Sequence, residues 1–450
     1  MAVDARRSGI GERLLAKLLE LDRPVPVLSD DEYDAFVTRN YRWNFAVTLL
    51  DGVTFWFGIA FMSASTIVPL FVSKITQNPL IIGLVVMVAQ ASWYAPQLFT
   101  AGPTERLDRK KPVVVNLGFF LERVPVWLLP IAALMAAQAP ELALVLFVIG
   151  YAWHGLGAGM IGPAWQDLLA RCFPVARRGR IFGITTFIGT GAGAIGAIFS
   201  GWLLKTYAYP VNFAYIFLIA AAAITVSWAF IALTREPVRV EPRTDAASAS
   251  VWRRLRQVLA QDENFRAYLT ARMLLVVGAM GSAFITIAAV QRWSVPDSTV
   301  GIYTALLLVG QTVGNLLSGL LADRAGHKVA MELGALAQVF AFTLAWLSPS
   351  PAVYYVVFVL LGYSIGVNIV SGILITLEFS TPDRRPTYIG IGNTAVGIAS
   401  AVAPLLGGWI ATLGYGPLFA VGAGVTTLAL FMLRYAVRDP RAAPPAVVVM

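Results

Sequence analysis

Apolar residues occur in long runs between about residues 43 and 437, and a few polar, glycine or proline positions separate each run from the next. A helix needs roughly 20 mostly apolar residues to cross a bilayer, and the runs have that length. The pattern therefore predicts an all-α polytopic membrane protein with twelve transmembrane helices, here called segments 1 to 12. They are predicted at about residues 44–73, 79–101, 112–136, 141–166, 181–205, 211–234, 266–290, 299–322, 329–348, 352–377, 387–412 and 416–437.

One long polar interruption, which contains Arg253, Arg254 and Arg256, separates the segments into two sets of six. The chain is therefore expected to have five parts. They are an N-terminal polar part at 1–42, a first six-helix bundle at 43–234, a central loop at 235–265, a second six-helix bundle at 266–437 and a tail at 438–450.

The N-terminal part carries a helix-start pattern, because Ser29 is followed by Asp30, Asp31 and Glu32. Serine is a preferred N-cap and acids are favourable in a first turn, so we predict a short helix here. Residues 1–40 hold too many charges, and no apolar core of sufficient length, for a secretory signal peptide.

Composition and charge agree with a membrane protein, since 58% of the residues are hydrophobic and 13% are charged. A soluble domain has about a quarter charged residues. With both termini in the cytoplasm, only Lys74, Lys205 and Arg292 of the 34 Lys and Arg lie near outer turns. Basic residues in short loops favour the cytoplasmic side. We therefore attribute the net charge of +9 to orientation in the cell membrane of a bacterium, not to nucleic-acid binding.

Short motifs recur between the two sets of segments in the same order, which predicts two pseudo-symmetric bundles. In transporters with such repeats the substrate site lies near the midplane, where the halves meet. The recurring motifs are Asn44-Phe45 with Asn264-Phe265, Gly150-Tyr151 with Gly362-Tyr363, Arg177-Arg178 with Arg384-Arg385, Gly183 with Gly390, and Gly201-Trp202 with Gly408-Trp409.

The stretch Gly319 to Lys328, Gly-Leu-Leu-Ala-Asp-Arg-Ala-Gly-His-Lys, predicts a tight charged turn between segments 8 and 9. It resembles the cytoplasmic signature of the major facilitator superfamily, Gly-x-x-x-Asp-Arg-x-Gly followed by two bases. The matching positions are Gly319, Asp323, Arg324, Gly326 and Lys328, with His327 in place of the first base. The first-half counterpart keeps Gly102 and the closing Lys110-Lys111, moves the acid to Glu105 and has Arg109 for the second glycine.

This resemblance implies a secondary transporter that works by alternating access, and it implies a gating role for the turns. Asp167 and Glu378, at the cytoplasmic ends of segments 4 and 10, are expected to join that gate through ion pairs, and Asp323 is expected to meet the start of segment 5 near Arg180. Two other sequence patterns of that family are altered in this chain. Tyr151 stands where segment 4 usually has an arginine, and Ala403-Pro-Leu-Leu-Gly-Gly408 lies in segment 11 instead of segment 5, so antiport is not implied.

Charged residues inside spans cost about 2.5 to 3.5 kcal/mol on insertion scales and therefore need a reason. Asp51 in segment 1 and Arg272 in segment 7 occupy nearly matching positions of the two repeats. We hypothesise that they meet across the interface and hold the cytoplasmic side closed, and that protonation of Asp51 weakens the contact. The alternative is that each pairs within its own half.

Glu122 and Arg123 in segment 3 and His154 in segment 4 lie at similar depth. Adjacent residues of an α-helix point about 100° apart, so only one of the first two is expected to face His154 or Gln90. A buried structural network in the first half is the main interpretation, and a coupling role for His154 is the alternative. The neutral polar residues within spans, which either pack or line a pathway, are Gln90, Gln311, Asn315, Asn368 and Asn393.

The sequence thus favours proton-coupled secondary transport of a small solute, without cofactor or metal, by a monomer in the lipid bilayer. Few intramembrane bases and several aromatic residues give a weak preference for export of a hydrophobic or cationic compound. The alternatives are a passive facilitator, an uptake symporter of a small polar metabolite, and, more remotely, a membrane enzyme or a transporter-like sensor. No catalytic triad pattern, metal-ligand spacing or phosphate-binding loop occurs, and the one cysteine, Cys172, excludes an internal disulfide.

Overall fold

The computed structural model describes residues 10–24, 26, 28–105, 107–238, 251–380 and 385–441, and within these ranges every regular element is helical. Among the described residues, eleven helices are long and apolar enough to cross a membrane. Segments 2 to 6 are Pro79–Glu105, Val113–Met135, Pro140–Cys172, Val175–Thr206 and Val211–Ala232. Segments 7 to 12 are Glu263–Trp293, Thr299–Ala325, His327–Leu347, Val353–Glu378, Arg385–Ala411 and Tyr415–Ala436. Their predicted positions are confirmed to within a few residues.

Segment 1 differs from the prediction because it consists of two helices, Asp30–Ala60 and Ile67–Ile75. Ser29 caps the first of them, and its capping box with Glu32 is complete. The predicted short helix is wrong in length, however, since the capped helix continues without a break into the membrane span. The count of twelve spans holds only when these two helices are taken together.

Each half has its own aromatic core. In the first half, Phe71 packs between Phe147, Phe213 and Phe217 from segments 4 and 6. Large aromatic side chains contribute much of the packing energy of a protein core when they are buried. In the second half, Phe265 and Tyr268 of segment 7 pack against Phe379.

The predicted turn between segments 8 and 9 is shorter than its sequence pattern suggests. Gly319, Asp323 and Arg324 all lie within the helix that ends at Ala325, and the next helix begins at His327. Gly326 alone reverses the chain, with a φ of 89° in the region that favours glycine. A small amphipathic helix, Ile10–Leu18, lies against the same side and accepts a hydrogen bond from Asn116 at its end.

Candidate functional site

The two halves meet most closely on the outer side, at two helix crossings built from glycines. In the first crossing, between segments 5 and 8, a Cβ on Gly301 would lie 2.5 Å from the backbone of Gly201. In the second, between segments 2 and 11, a Cβ on Gly83 would lie 2.5 Å from the carbonyl of Pro404 and 3.1 Å from Gly408 Cα. Glycine is thus the only residue that permits these approaches. The repeated Gly201 and Gly408 of the sequence mark equivalent crossings.

Polar contacts join the halves on the same side. The Lys74 ammonium lies 2.7 Å from the Asp297 carboxylate, and the Gln291 amide donates to Gln77 at 3.2 Å. Deeper in the protein, the Thr304 hydroxyl donates to Thr66 at 2.7 Å. The outer side of the interface is therefore closed.

The deepest polar contact between the halves joins the hydroxyls of Thr190 and Thr312 near mid-span, 2.7 Å apart. Within the described ranges, no hydrogen bond or ion pair joins the halves closer to the cytoplasmic side. The described ion pairs of that side, such as those of Asp167 and Glu378, each join residues of one half. We therefore assign the closed side of the interface to the outer side, where the described polar contacts between the halves are concentrated.

The outer ion pair gives a direct test of this assignment. Lys74→Glu should favour opening of the outer side by up to about fivefold, because a partly exposed ion pair contributes roughly 0.2–1 kcal/mol. The measurement is the rate at which a membrane-impermeant maleimide, added outside, labels Thr66→Cys, a position that is buried in this structure. Exchange of the two charges in Lys74→Asp/Asp297→Lys should restore slow labelling; equally fast labelling in the exchanged protein would contradict the role of the pair.

A group of buried charges occupies the middle of the first half. Asp51, Glu122, Arg123 and His154 are each at most 5% exposed. The Asp51 carboxylate accepts a 2.6 Å hydrogen bond from the Ser227 hydroxyl of segment 6. Glu122 and Arg123 lie within electrostatic reach of that carboxylate. We call these four residues the buried charge cluster.

Segment 3 departs from α-helical geometry where it contributes to the cluster. Residues Phe119–Arg123 form a π-helical turn, a feature that is frequent at functional sites. The side chains of Glu122 and Arg123 form an ion pair with each other, and His154 Nδ1 lies 2.9 Å from the Glu122 carbonyl. A carbonyl only accepts, so Nδ1 carries the proton. The expected contact of one of these two side chains with His154 or Gln90 is not seen here, because the two pair with each other and His154 meets the backbone of Glu122.

The corresponding position of the second half is neutral. Gln338 of segment 9 donates to the Leu275 carbonyl and the Thr426 hydroxyl, at 2.9 Å each, and accepts from Ser364 at 3.2 Å. This glutamine links four helices with satisfied hydrogen bonds and no charge. No pattern in the sequence marked Gln338 for this role. The two halves thus differ most in the charge at their centres.

Arg272 does not meet Asp51 in this structure, so the predicted contact across the interface is absent here. Its guanidinium lies against Gly372 and Gly392, and Nη1 is 3.5 Å from the Thr376 hydroxyl. All of these contacts are within the second half. Asp51 likewise makes its hydrogen bond within the first half, which is the alternative that the sequence left open.

The neutral polar residues of the spans are not joined to one another by hydrogen bonds in the described part of the chain. Gln311 and Asn315 lie on segment 8 where it crosses the glycines of segment 10, and the buried Asn315 Oδ1 has no partner. Asn368 donates to Ser364 of its own helix, and Asn393 is exposed. A polar pathway built from these residues, including Gln90, remains a prediction.

At the cytoplasmic ends, the predicted gate acids pair within their halves. Asp167 lies 3.1 Å from the Lys110 ammonium and 3.4 Å from Arg171. Glu378 lies 2.7 Å from Arg441 of the tail. Arg180, which follows segment 4, is exposed, and the side chains of the arginines that follow segment 10 lie outside what is described.

The remaining turn residues make few contacts in this state. Asp323 and Arg324 are exposed, and neither forms a hydrogen bond or ion pair with a described residue. Gly102 and Gly319 face open space, and the side chain of Glu105 lies outside what is described. Lys328 pairs with Glu332 at 3.5 Å. The expected contact of Asp323 near Arg180 is thus not made in this structure.

A further internal repeat, which the sequence analysis missed, supports both turns. Arg235-Glu236-Pro237 follows segment 6 and Arg438-Asp439-Pro440 follows segment 12. Asn44 and Asn264 each exchange two hydrogen bonds with the backbone of the arginine in their own half. The repeat was visible as a tripeptide after the last helix of each bundle.

The acidic residue of each tripeptide, Glu236 or Asp439, contacts the charged turn of its own half. Glu236 accepts from the backbone N–H groups of Lys110 and Lys111 at 2.8 and 3.1 Å. Burial raises the pKa of the Glu236 carboxyl, while these two N–H groups, by binding its ionised form, act in the opposite direction. Asp439 lies beside Gly326, where its carboxylate would be 3.1 Å from a Cβ. Each turn is therefore anchored to the end of its own bundle.

Comparisons with known proteins cover most of the helical part of the chain. The family profile described as Major Facilitator Superfamily matches residues 50–294 and 270–448. An uncharacterized protein of Mycobacterium tuberculosis is 26% identical over 412 residues, which is 89% of this chain and 95% of that protein.

Solved transporter structures share the fold. The crystal structure of a D-xylose-proton symporter superposes with a TM-score of 0.66 at 14% identity, over 89% of this chain and 98% of its own. The nucleoside transporter NupG, as a D323A mutant, superposes with a TM-score of 0.63 at 14% identity, over 88% and 99%. At this identity the likeness concerns the fold alone.

Proposed function

We propose that this chain, which belongs to the Major Facilitator Superfamily, moves a small solute by alternating access and couples that movement to protons. As a member of that family it is an integral multi-pass membrane transporter and not an enzyme. Proton coupling is the part of the proposal that goes beyond family membership, and the buried charge cluster carries it.

The cluster has one more acid than it can neutralise. Two carboxyl groups, Asp51 and Glu122, face one guanidinium, Arg123, and all three are at most 5% exposed. With both acids ionised the set carries one negative charge inside the membrane, and with one protonated it carries none. Net charge in a span is costly, so uptake and release of a single proton is the change that this cluster supports.

Asp51 is the proposed proton carrier because its surroundings connect it to the outer closure. It accepts from Ser227 of segment 6, and its neighbour Gly52 packs directly against Thr185 of segment 5. Segment 5 continues outward to the crossing of Gly201 with Gly301. A change in the bond between Asp51 and Ser227 therefore acts on the helix that closes the outer side.

The direction of transport stays a prediction. Export of a hydrophobic or cationic compound is the first candidate, because of the aromatic residues and few bases in the spans, and uptake of a small polar metabolite is the second. The D-xylose-proton symporter with the same fold is, by its name, a proton-coupled protein, which supports the coupling mode without indicating a substrate.

Proteoliposomes that contain a pH-sensitive dye and receive a panel of solutes test the proposal. We expect one or more solutes to move protons with them in the wild type. Asp51→Asn should abolish solute-driven proton movement and accumulation while solute exchange at equal concentrations continues, because the cycle no longer needs a proton. Asp30→Asn, at the surface start of the same helix, is the matched control and should behave as the wild type. Solute movement that ignores the proton gradient would instead favour the passive facilitator.

A further inference from the structure

The helix Ile10–Leu18 has an apolar face that the rest of the described chain leaves partly uncovered. Its sequence, Ile-Gly-Glu-Arg-Leu-Leu-Ala-Lys-Leu, places the large apolar side chains on one side and the three charged side chains on the other, at the period of an α-helix. Leu14 is 58% exposed and Leu15 is 47% exposed. A helix this short is not stable in water by itself, so its apolar face needs a partner.

The helix is attached to the bilayer-facing side of segment 3. The Asn116 side chain donates to the Leu18 carbonyl at 2.8 Å. Residues three or four positions apart share one face of a helix, and Asn116 begins a stripe of such positions. The stripe continues with apolar side chains that are at least 38% exposed, which are Phe120, Val124, Trp127, Ile131 and Leu134. Such a stripe on a membrane span faces lipid, so the helix lies where the bilayer meets the bundle.

The attachment point lies at the depth of the lipid headgroups. Asn116 is the fourth residue of the span Val113–Met135, which places it roughly 5 Å below the cytoplasmic end of that span. The interfacial region of one leaflet is about 5–8 Å thick. A helix that is held at this level, beside a lipid-facing stripe, lies within the interface.

The residues after the helix connect it to the charged turn of the first half. Arg109 of this turn donates to the Pro24 carbonyl at 2.8 Å, and its guanidinium lies 3.9 Å from the Glu20 carboxylate. The same carboxylate lies 2.8 Å from the Arg23 guanidinium. These contacts link the position of the helix at the membrane surface to the position of the turn.

We propose that Ile10–Leu18 is an in-plane membrane anchor, and that its partner is the lipid of the cytoplasmic leaflet. Leu14 and Leu15 then reach the boundary between the headgroups and the acyl chains. Continuity with the lipid-facing stripe of segment 3 favours this partner over a second copy of the chain. The polar side carries two bases, Arg13 and Lys17, and one acid, so apolar insertion holds the helix and charge attraction adds little. The anchor does not depend on the proposed proton coupling.

Depth-dependent quenching in the full-length protein tests the anchor. The fluorophore NBD is attached to Leu14→Cys on the apolar side or, as the matched control, to Glu12→Cys on the polar side, both in a Cys172→Ser background. The protein is placed in phosphatidylcholine nanodiscs that hold one copy each and contain lipids with a doxyl quencher on the acyl chain near the headgroup. We expect at least about twofold stronger doxyl quenching of the Leu14 label, because the apolar face of an interfacial helix is buried by about 5–10 Å. Iodide in the buffer should quench the Glu12 label more strongly.

Two further variants separate insertion from charge attraction. Leu15→Glu should reduce the doxyl quenching of the Leu14 label to the level of the Glu12 label, because a charge on the apolar face opposes burial. Arg13→Gln should leave the quenching of the Leu14 label unchanged, because neutral phosphatidylcholine has no negative surface potential that would attract the base.

Equal doxyl quenching of the two labels, or stronger iodide quenching at Leu14 than at Glu12, would overturn the anchor. Unchanged quenching in Leu15→Glu, or loss of quenching in Arg13→Gln, would contradict apolar insertion. A Leu14 label that is protected from iodide in densely packed proteoliposomes, but not in single-copy nanodiscs, would show that a second copy of the chain covers this face instead of lipid.

Discussion

Replacing Gly301 by alanine is expected to reduce transport by at least about tenfold while the protein still folds. The new Cβ would lie 2.5 Å from the backbone of Gly201 and 2.6 Å from the Ala197 carbonyl, so segments 5 and 8 would have to move apart. Adding atoms to a well-packed contact costs about 1–3 kcal/mol. Here that cost falls on the outer-closed state alone, so the ratio of open to closed proteins should rise about 5- to 150-fold.

The measurement is solute transport together with labelling of Thr66→Cys from the outside, which should become faster as transport declines. Gly191→Ala is the matched control, because this glycine lies on segment 5, the other helix of the crossing, with nothing within 4 Å of its Cβ position. It should transport like the wild type. Slow outer labelling in Gly301→Ala would show that the crossing of segments 5 and 8 does not control access.

Removing the guanidinium of the buried charge cluster should have the largest effect on stability. Arg123→Leu leaves Glu122 and Asp51 without a positive charge among them, and breaking a buried pair in this way costs about 3–5 kcal/mol. We expect a clear fall in the thermal unfolding midpoint of the purified protein. Removing both members in Glu122→Gln/Arg123→Met should restore much of that midpoint, because no charge is then left unpaired.

The double variant separates stability from coupling. A well-folded Glu122→Gln/Arg123→Met protein should retain solute exchange but show altered coupling to protons, since Asp51 then lacks both charged neighbours. If the single and double variants were equally destabilised, the ion pair would not be the reason for the charge at Arg123. If the double variant showed wild-type coupling, Glu122 and Arg123 would serve the fold alone.

The positions of the helices could be predicted from the sequence because membrane length is a strong and simple constraint. The break in segment 1 could not, since residues 61–66, Phe-Met-Ser-Ala-Ser-Thr, contain neither glycine nor proline. The π-helical turn at Phe119–Arg123 has no such marker either. Both depend on contacts with other helices, which periodicity does not record.

The partners of the buried charges show a second limit. Depth in the membrane follows from counting residues, so Asp51, Glu122 and His154 could be placed at their levels. The direction of each side chain depends on the rotation of its helix, and one residue changes that direction by about 100°. Asp51 therefore meets Ser227 instead of Arg272. In contrast, the repeated glycines Gly201 and Gly408 correctly indicated helix contacts. Helices that approach this closely need a residue without a Cβ at the crossing.

A proton at the buried charge cluster is proposed to change the balance between inward- and outward-facing states. The dipolar coupling between spin labels on Gln77→Cys and Gln291→Cys, in a Cys172→Ser background, reports this balance, because the native side chains meet at 3.2 Å across the closed outer side. We expect two populations, close and separated, whose ratio changes with pH in this protein and is insensitive to pH when Asp51→Asn is added. A single close population at every pH, or the same pH response with Asp51→Asn, would contradict it.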